Sequence, residues 1–215
     1  MSMDASAFLY NAGSHLKYLE IAYTFLIEAY QKQLKDKYQA RNNNENKIRD
    51  DLVLIAKTKR DSNFPFRWIT EYPDIENNNR IDIDLATPQS LIDETTALKI
   101  ECKIVGEDKY IDNKKSFYRK DSPTNGIMSF ITGKYSSKMS LAGMIGFIKD
   151  GKIDNKIRNI KTRLENHIDI KTSQNLETYP LKEKFNYSYH SIHERYSNLD
   201  KISIYHLFFN YSLVL

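Results

Sequence analysis

The chain has 215 residues, 40% of them hydrophobic and 28% charged, with only 7 Gly and 5 Pro. That composition excludes a disordered or fibrous chain, and the length suits one domain around a single core. Lys and Arg total 32 against 28 Asp and Glu, a net charge of +4, which permits a polyanionic partner without requiring one.

The lone cysteine, Cys102, excludes an internal disulfide and any zinc site built on several cysteines. No apolar run reaches the roughly 18 to 20 residues of a membrane span, and the start MSMDASAFLYNAGS lacks the basic and long apolar regions of a signal peptide. A cytoplasmic protein without membrane contact is therefore expected.

Residues 6 to about 38 carry Phe8, Leu9, Leu16, Leu19, Ala22, Tyr23, Leu26 and Tyr30 at helical spacing. Gly13 and Ser14 offer a break, so one helix or two fit equally. This stretch, residues 1–41, reads as a helical extension that packs on the domain or forms a homodimer interface. The Asn run 42–44 then offers an N-cap to ENKIRDDLVLIAKTKR, with Ile48, Leu52, Ile55 and Ala56 on one face and Glu45 in the first turn.

RWITEY reads as a short strand and PDIENNN as a turn-rich connection. RIDIDLATP alternates strictly, with Ile81, Ile83 and Leu85 on one face and Arg80, Asp82 and Asp84 on the other. TALKIECKIVGE does the same, setting Leu98, Ile100, Cys102 and Ile104 against Lys99, Glu101 and Lys103. The two form an expected hairpin, each strand with one apolar and one charged face.

Residues 106–125 read as a mobile basic loop, and GIMSFITGKYSSKM as a short helix. LAGMIGFI suits a strand buried on both faces, and DNKIRNIKTRLENHI suits a helix with Ile157, Ile160, Leu164 and Ile168 inward. Two further strands, NYSYHSI and ISIYHLFF, close the chain.

The residues R80-I-D82-I-D84 followed by I100-E101-C-K103 resemble the PD-(D/E)xK nuclease superfamily, the restriction-endonuclease-like fold with core order αβββαβ. The resemblance covers residues 45–148 within an α/β domain at 42–215, with a mixed sheet flanked by helices. It implies a Mg²⁺- or Mn²⁺-dependent endonuclease acting on DNA, with RNA also open, in restriction or antiviral defence. It also leaves room for a protein partner from a defence system.

Asp82, Asp84 and Glu101 are the expected metal ligands, because magnesium favours oxygen donors and keeps waters in its shell. Lys103, two residues beyond Glu101 on the same face, is assigned by the resemblance to the attacking water. Glu45 resembles the additional acid that some members place beside the metal, although a helix start favours an acid in any case. Asp82 is favoured over Asp84 for its Arg-Ile-Asp-Ile setting, and Pro73-Asp74 is set aside as a strand terminator.

Lys114, Lys115, Arg119 and Lys134 are candidates for nucleic-acid contact. His190 and His193, three apart on a strand, point to opposite faces and do not suit a shared metal. Two other accounts fit the same residues. One is a plain hairpin with a solvated charged face, in which Lys99 faces solvent. The other is a catalytically inactive scaffold or regulatory binding protein that keeps the fold within a larger complex.

Overall fold

The computed structural model describes residues 12–40, 43–58, 66–74, 79–86, 98–106, 110–112, 126–135, 139–181, 185–196 and 200–213. Its first helix, α1, runs unbroken over Ala12–Lys35, with Gly13 and Ser14 inside its first turn. The second, α2 (Glu45–Thr58), begins where Asn44 Oδ1 accepts the Lys47 N–H at 2.9 Å, so Asn44 acts as its N-cap. Ile48, Leu52, Val53 and Ala56 form its buried stripe.

The strands follow as β1 (Arg67–Asp74), β2 (Asn79–Ala86) and β3 (Leu98–Ile104), then α3 (Ile127–Ile131) and β4 (Leu141–Ile148). After α4 (Ile153–Glu165) come β5 (Thr172–Thr178), β6 (Ser188–Glu194) and β7 (Lys201–Asn210). The seven strands form one mixed sheet in the order β1-β2-β3-β4-β7-β6-β5. The two central pairs, β3–β4 and β4–β7, are parallel, and the other pairs are antiparallel.

Several expectations change. Ile168 does not point inward: α4 ends at Glu165, and Ile168 beyond it is 92% exposed, leaving Ile153, Ile157, Ile160 and Leu164 as the buried stripe. β1 continues through Pro73 and Asp74, which pair with Arg80 and Asn79. Proline is tolerated there because β1 is an edge strand, so its missing N–H removes no bond from an inner ladder. β5 has no sequence precedent either: TSQNLET buries only Leu176 as the outer strand on the other edge, so it carries no two-residue apolar rhythm.

Helices α1 and α2 pack on one face of the sheet against Ile83, Leu85, Ile100, Cys102, Ile145, Leu207 and Phe209. Helices α3 and α4 pack on the other, against Ala142, Met144, Ile148, Ile202, Ile204 and Phe208. Every residue of β4 is buried, which explains its unbroken apolar run. The charged face expected on β3 is covered as well, since Lys99, Glu101 and Lys103 are all buried. Lys99 therefore does not face solvent, and the solvated-hairpin account fails at this strand.

Helix α1 is tied into the centre of the sheet by its tyrosines. Tyr23 donates to the Tyr205 carbonyl at 2.7 Å and accepts the Met144 N–H at 3.0 Å, touching the backbones of both β4 and β7. Tyr30 does the same at Asn210, donating to its carbonyl at 2.8 Å and accepting its N–H at 3.1 Å. The Tyr23 phenol fits only because residue 143 is glycine: a Cβ there would stand 2.6 Å from its oxygen. Tyr23→Phe removes a buried hydroxyl that serves two backbone groups. We expect it to lower stability by about 1–3 kcal/mol, read from the urea midpoint, without changing the far-ultraviolet circular dichroism.

Candidate functional site

The site forms where β2 parts from β3. Their ladder pairs Ile83, Asp84 and Leu85 with Ile100, Lys99 and Leu98, and β3 continues to Ile104 beyond it. The backbone N–H groups of β3 past the ladder still need acceptors, because an unpaired buried N–H is costly. Two carboxylates supply them. Asp82 Oδ2 accepts the Cys102 N–H at 2.8 Å, and Glu45 Oε2, from the first turn of α2, accepts the Ile104 N–H at 2.9 Å.

Lys103 lies among these acids. Its Nζ is 2.7 Å from Glu101 Oε1, 3.1 Å from Glu45 Oε1 and 3.4 Å from Asp82 Oδ2, and it also donates to the Cys102 carbonyl at 2.7 Å. Arg49, on α2, donates from Nη1 to Asp82 Oδ1 at 2.7 Å and from Nε to Asp50 at 2.9 Å. The acids of one helix and two strands thus meet around two cations. Glu101 is 3% exposed and Arg49 1%, so most of this charge is out of water.

Counting the half-exposed Asp50 on Arg49, four carboxylates (Glu45, Asp50, Asp82 and Glu101) face two cations, Lys103 and Arg49, so negative charge is in excess. The excess is relieved on Glu101. Burial, together with the Asp82 charge beside it, pushes its carboxyl up to about 8, although Lys103 pulls the other way. For Lys103, burial alone would lower the ammonium's value, but Glu101, Asp82 and Glu45 outweigh it and hold the group charged. The Cys102 thiol is pushed up by burial and behaves as core.

Of the residues singled out in the sequence, Glu45, Asp82, Glu101 and Lys103 are brought together. Asp84 is buried one pleat further along β2, in register with Lys99. Among the described residues, no group of three or more His, Cys, Asp or Glu side chains is disposed to hold a metal ion. Here the lysine ammonium lies between the carboxylates.

Lys134 follows α3 with its Nζ 5.0 Å from the Tyr135 ring centroid, while Lys114, Lys115, Arg119 and most of the basic loop lie outside the described residues. Arg49 had no sequence signal beyond being a charged residue beside the apolar stripe of α2.

A second buried polar chain crosses the other half of the sheet. It runs from Tyr110 to His206 (3.0 Å), Ser191 (2.8 Å), His193 (2.8 Å) and Thr172 (3.1 Å). Ser191, His193 and His206 are fully buried, and burial holds His193 down at about 4. Neutral imidazoles in that setting satisfy one another as core. His190 does not share this face; it stacks on Tyr205 at 4.5 Å.

Compared with known proteins, the chain matches no family model, no curated protein and no solved structure at a significant level.

Glu101 gives a pH signature. The folded protein keeps its proton up to about pH 8, whereas a free carboxyl loses it near 4.5. The native state therefore binds more protons across that window, and its stability falls as pH rises through it. The Glu101→Gln variant carries no such charge. Its melting temperature should gain on the wild type as pH is raised from 5 to 9, followed by calorimetry without divalent metal.

Proposed function

We propose that the chain is a metal-dependent nuclease of the PD-(D/E)xK kind, hydrolysing phosphodiester bonds of DNA, with defence against foreign DNA as its setting. The observation that carries this reading is the meeting of the half-buried Asp82 with the buried Glu101 and Lys103 at the point where two adjacent strands part, with Glu45 beside them. The element order over residues 45–148, helix, three strands, helix, strand, supports it.

The donor chemistry fits Mg²⁺ or Mn²⁺. Asp82 and Glu101 offer hard oxygens on adjacent strands. Asp82 and Glu101 would hold the ion, with Asp84 the neighbouring acid on the same strand. Bound there, a divalent cation supplies charge relief at the phosphoryl group and a more acidic water.

The protein's own groups do the rest. Lys103, held charged by the acids around it, is placed to orient the attacking water or a phosphate oxygen and to offset negative charge in the transition state. Glu45 bonds both the Ile104 N–H and the Lys103 ammonium, so it fixes the lysine relative to the strand that carries it. The charge balance also suits a phosphate. Ionising Glu101, adding a divalent cation and adding one phosphodiester leaves the cluster's net charge unchanged from its Glu101-protonated state.

The engagement of Lys103 by three acids favours a second reading, in which the fold persists as a scaffold and these charges only hold it together. Cleavage of supercoiled plasmid with Mg²⁺ or Mn²⁺ separates the two. On the nuclease reading, the wild type nicks or linearises the plasmid only with metal. Glu101→Gln, Lys103→Gln and Asp82→Asn should each lower the rate by about a hundredfold or more, and Asp84→Asn by less. Intact plasmid and RNA after incubation of folded wild type with either metal would contradict it.

A further inference from the structure

We infer that Arg49 is a positioning residue: wedged between α2 and β2, its guanidinium fixes the orientation of the Asp82 carboxylate on which the site's ligand geometry depends. The inference rests on the reading of Asp82 as a metal-holding acid, and it assigns a function to a residue outside the strand motifs.

The two oxygens of Asp82 are held by different elements. Oδ1 takes Arg49 Nη1 at 2.7 Å from the helix, and Oδ2 takes the Cys102 N–H at 2.8 Å from β3. With both oxygens held, the carboxylate is not free to turn about its Cβ–Cγ bond, and a ligand held in one orientation is ready before a metal or phosphate arrives.

The guanidinium is itself braced. Its Nε edge donates to Asp50 at 2.9 Å, and Nη1 also reaches Asn46 at 3.4 Å, both on the same helix. A planar group that bonds acids along two edges acts as a strut, which a lysine ammonium cannot copy because it is a point charge on a flexible stem. Glu45 and Arg49 stand four residues apart on α2, so one helical face reaches β3 through the first and β2 through the second. Helix α2 thereby sets the spacing of the strands at the point where they separate.

Stability alone does not account for such a group. A buried ion pair often matches a well-packed apolar substitute in stability, and the arginine is 1% exposed with its neighbours Ile48 and Leu52 in the core. Its distinctive contribution is geometric.

The test uses the full chain carrying Arg49→Lys, which keeps the charge and loses the fork. The Cys102 amide reports the Asp82 orientation directly, through hydrogen exchange measured by NMR, with no need for activity. Plasmid cleavage with Mn²⁺ reports its consequence. We expect Arg49→Lys to fold, to speed Cys102 exchange by about tenfold or more, and to lower kcat by about a hundredfold with KM for DNA unchanged.

Should Arg49→Lys fail to fold, Arg49→Met combined with Asp82→Asn removes both charges, and restored folding in the pair marks Asp82 as the group that Arg49 serves. Failure of the pair to fold overturns that assignment. Wild-type Cys102 exchange in folded Arg49→Lys overturns the inference, as does full-rate cleavage despite a loosened amide. If the wild type itself cuts nothing, the nuclease reading falls, and the amide alone decides: faster exchange in Arg49→Lys upholds the hold of Arg49 on Asp82, and unchanged exchange overturns it.

Discussion

The unmet N–H groups on the far end of β3 organise this molecule. Once β2 stops pairing at Ile83, the amides of Cys102 and Ile104 must find acceptors elsewhere, and the carboxylates of Asp82 and Glu45 take them. Acids drawn to one place need cations, and Lys103 and Arg49 provide them. Burial and the neighbouring Asp82 charge favour the protonated form of Glu101. A backbone requirement thus concentrates acid–base chemistry in a partly dry site, without any single residue being placed there for its charge alone.

That concentration depends on a rigid frame. The parallel strands β3, β4 and β7 run through the middle of the sheet, buried between two helix layers. The phenols of Tyr23 and Tyr30 fasten α1 to the backbones of β4 and β7, so the amino-terminal helix serves the core that supports the site. Gly143 matters through the close approach it allows; its absent side chain is the space that the Tyr23 oxygen fills.

Much of this was legible in the sequence, and the reasons for the rest are specific. The two-residue rhythm of RIDIDL and KIECKI announced the strands, and the Asn run announced the start of α2. The same rhythm sets Asp82 and Asp84 alike and does not distinguish them; in the structure Asp82 takes the Cys102 N–H beyond the end of the ladder, while Asp84 stays within it in register with Lys99. Lys99 is buried against expectation because alternation tells which side a residue faces and not what covers that side. Arg49 carries no local signal because its contact is with Asp82, 33 residues away. β5 escaped because an edge strand with one buried residue has no apolar period to detect.

The central claim is that Asp82 and Glu101 form one half of a divalent-metal site, with Lys103 beside it. Anomalous diffraction from crystals soaked in Mn²⁺ at pH 8 tests it most directly. The account predicts a peak bound by carboxylate oxygens of Asp82 and Glu101, with the Lys103 ammonium drawn away from Glu101. A map with no peak there, in which Lys103 still lies 2.7 Å from Glu101 and 3.4 Å from Asp82, would contradict it.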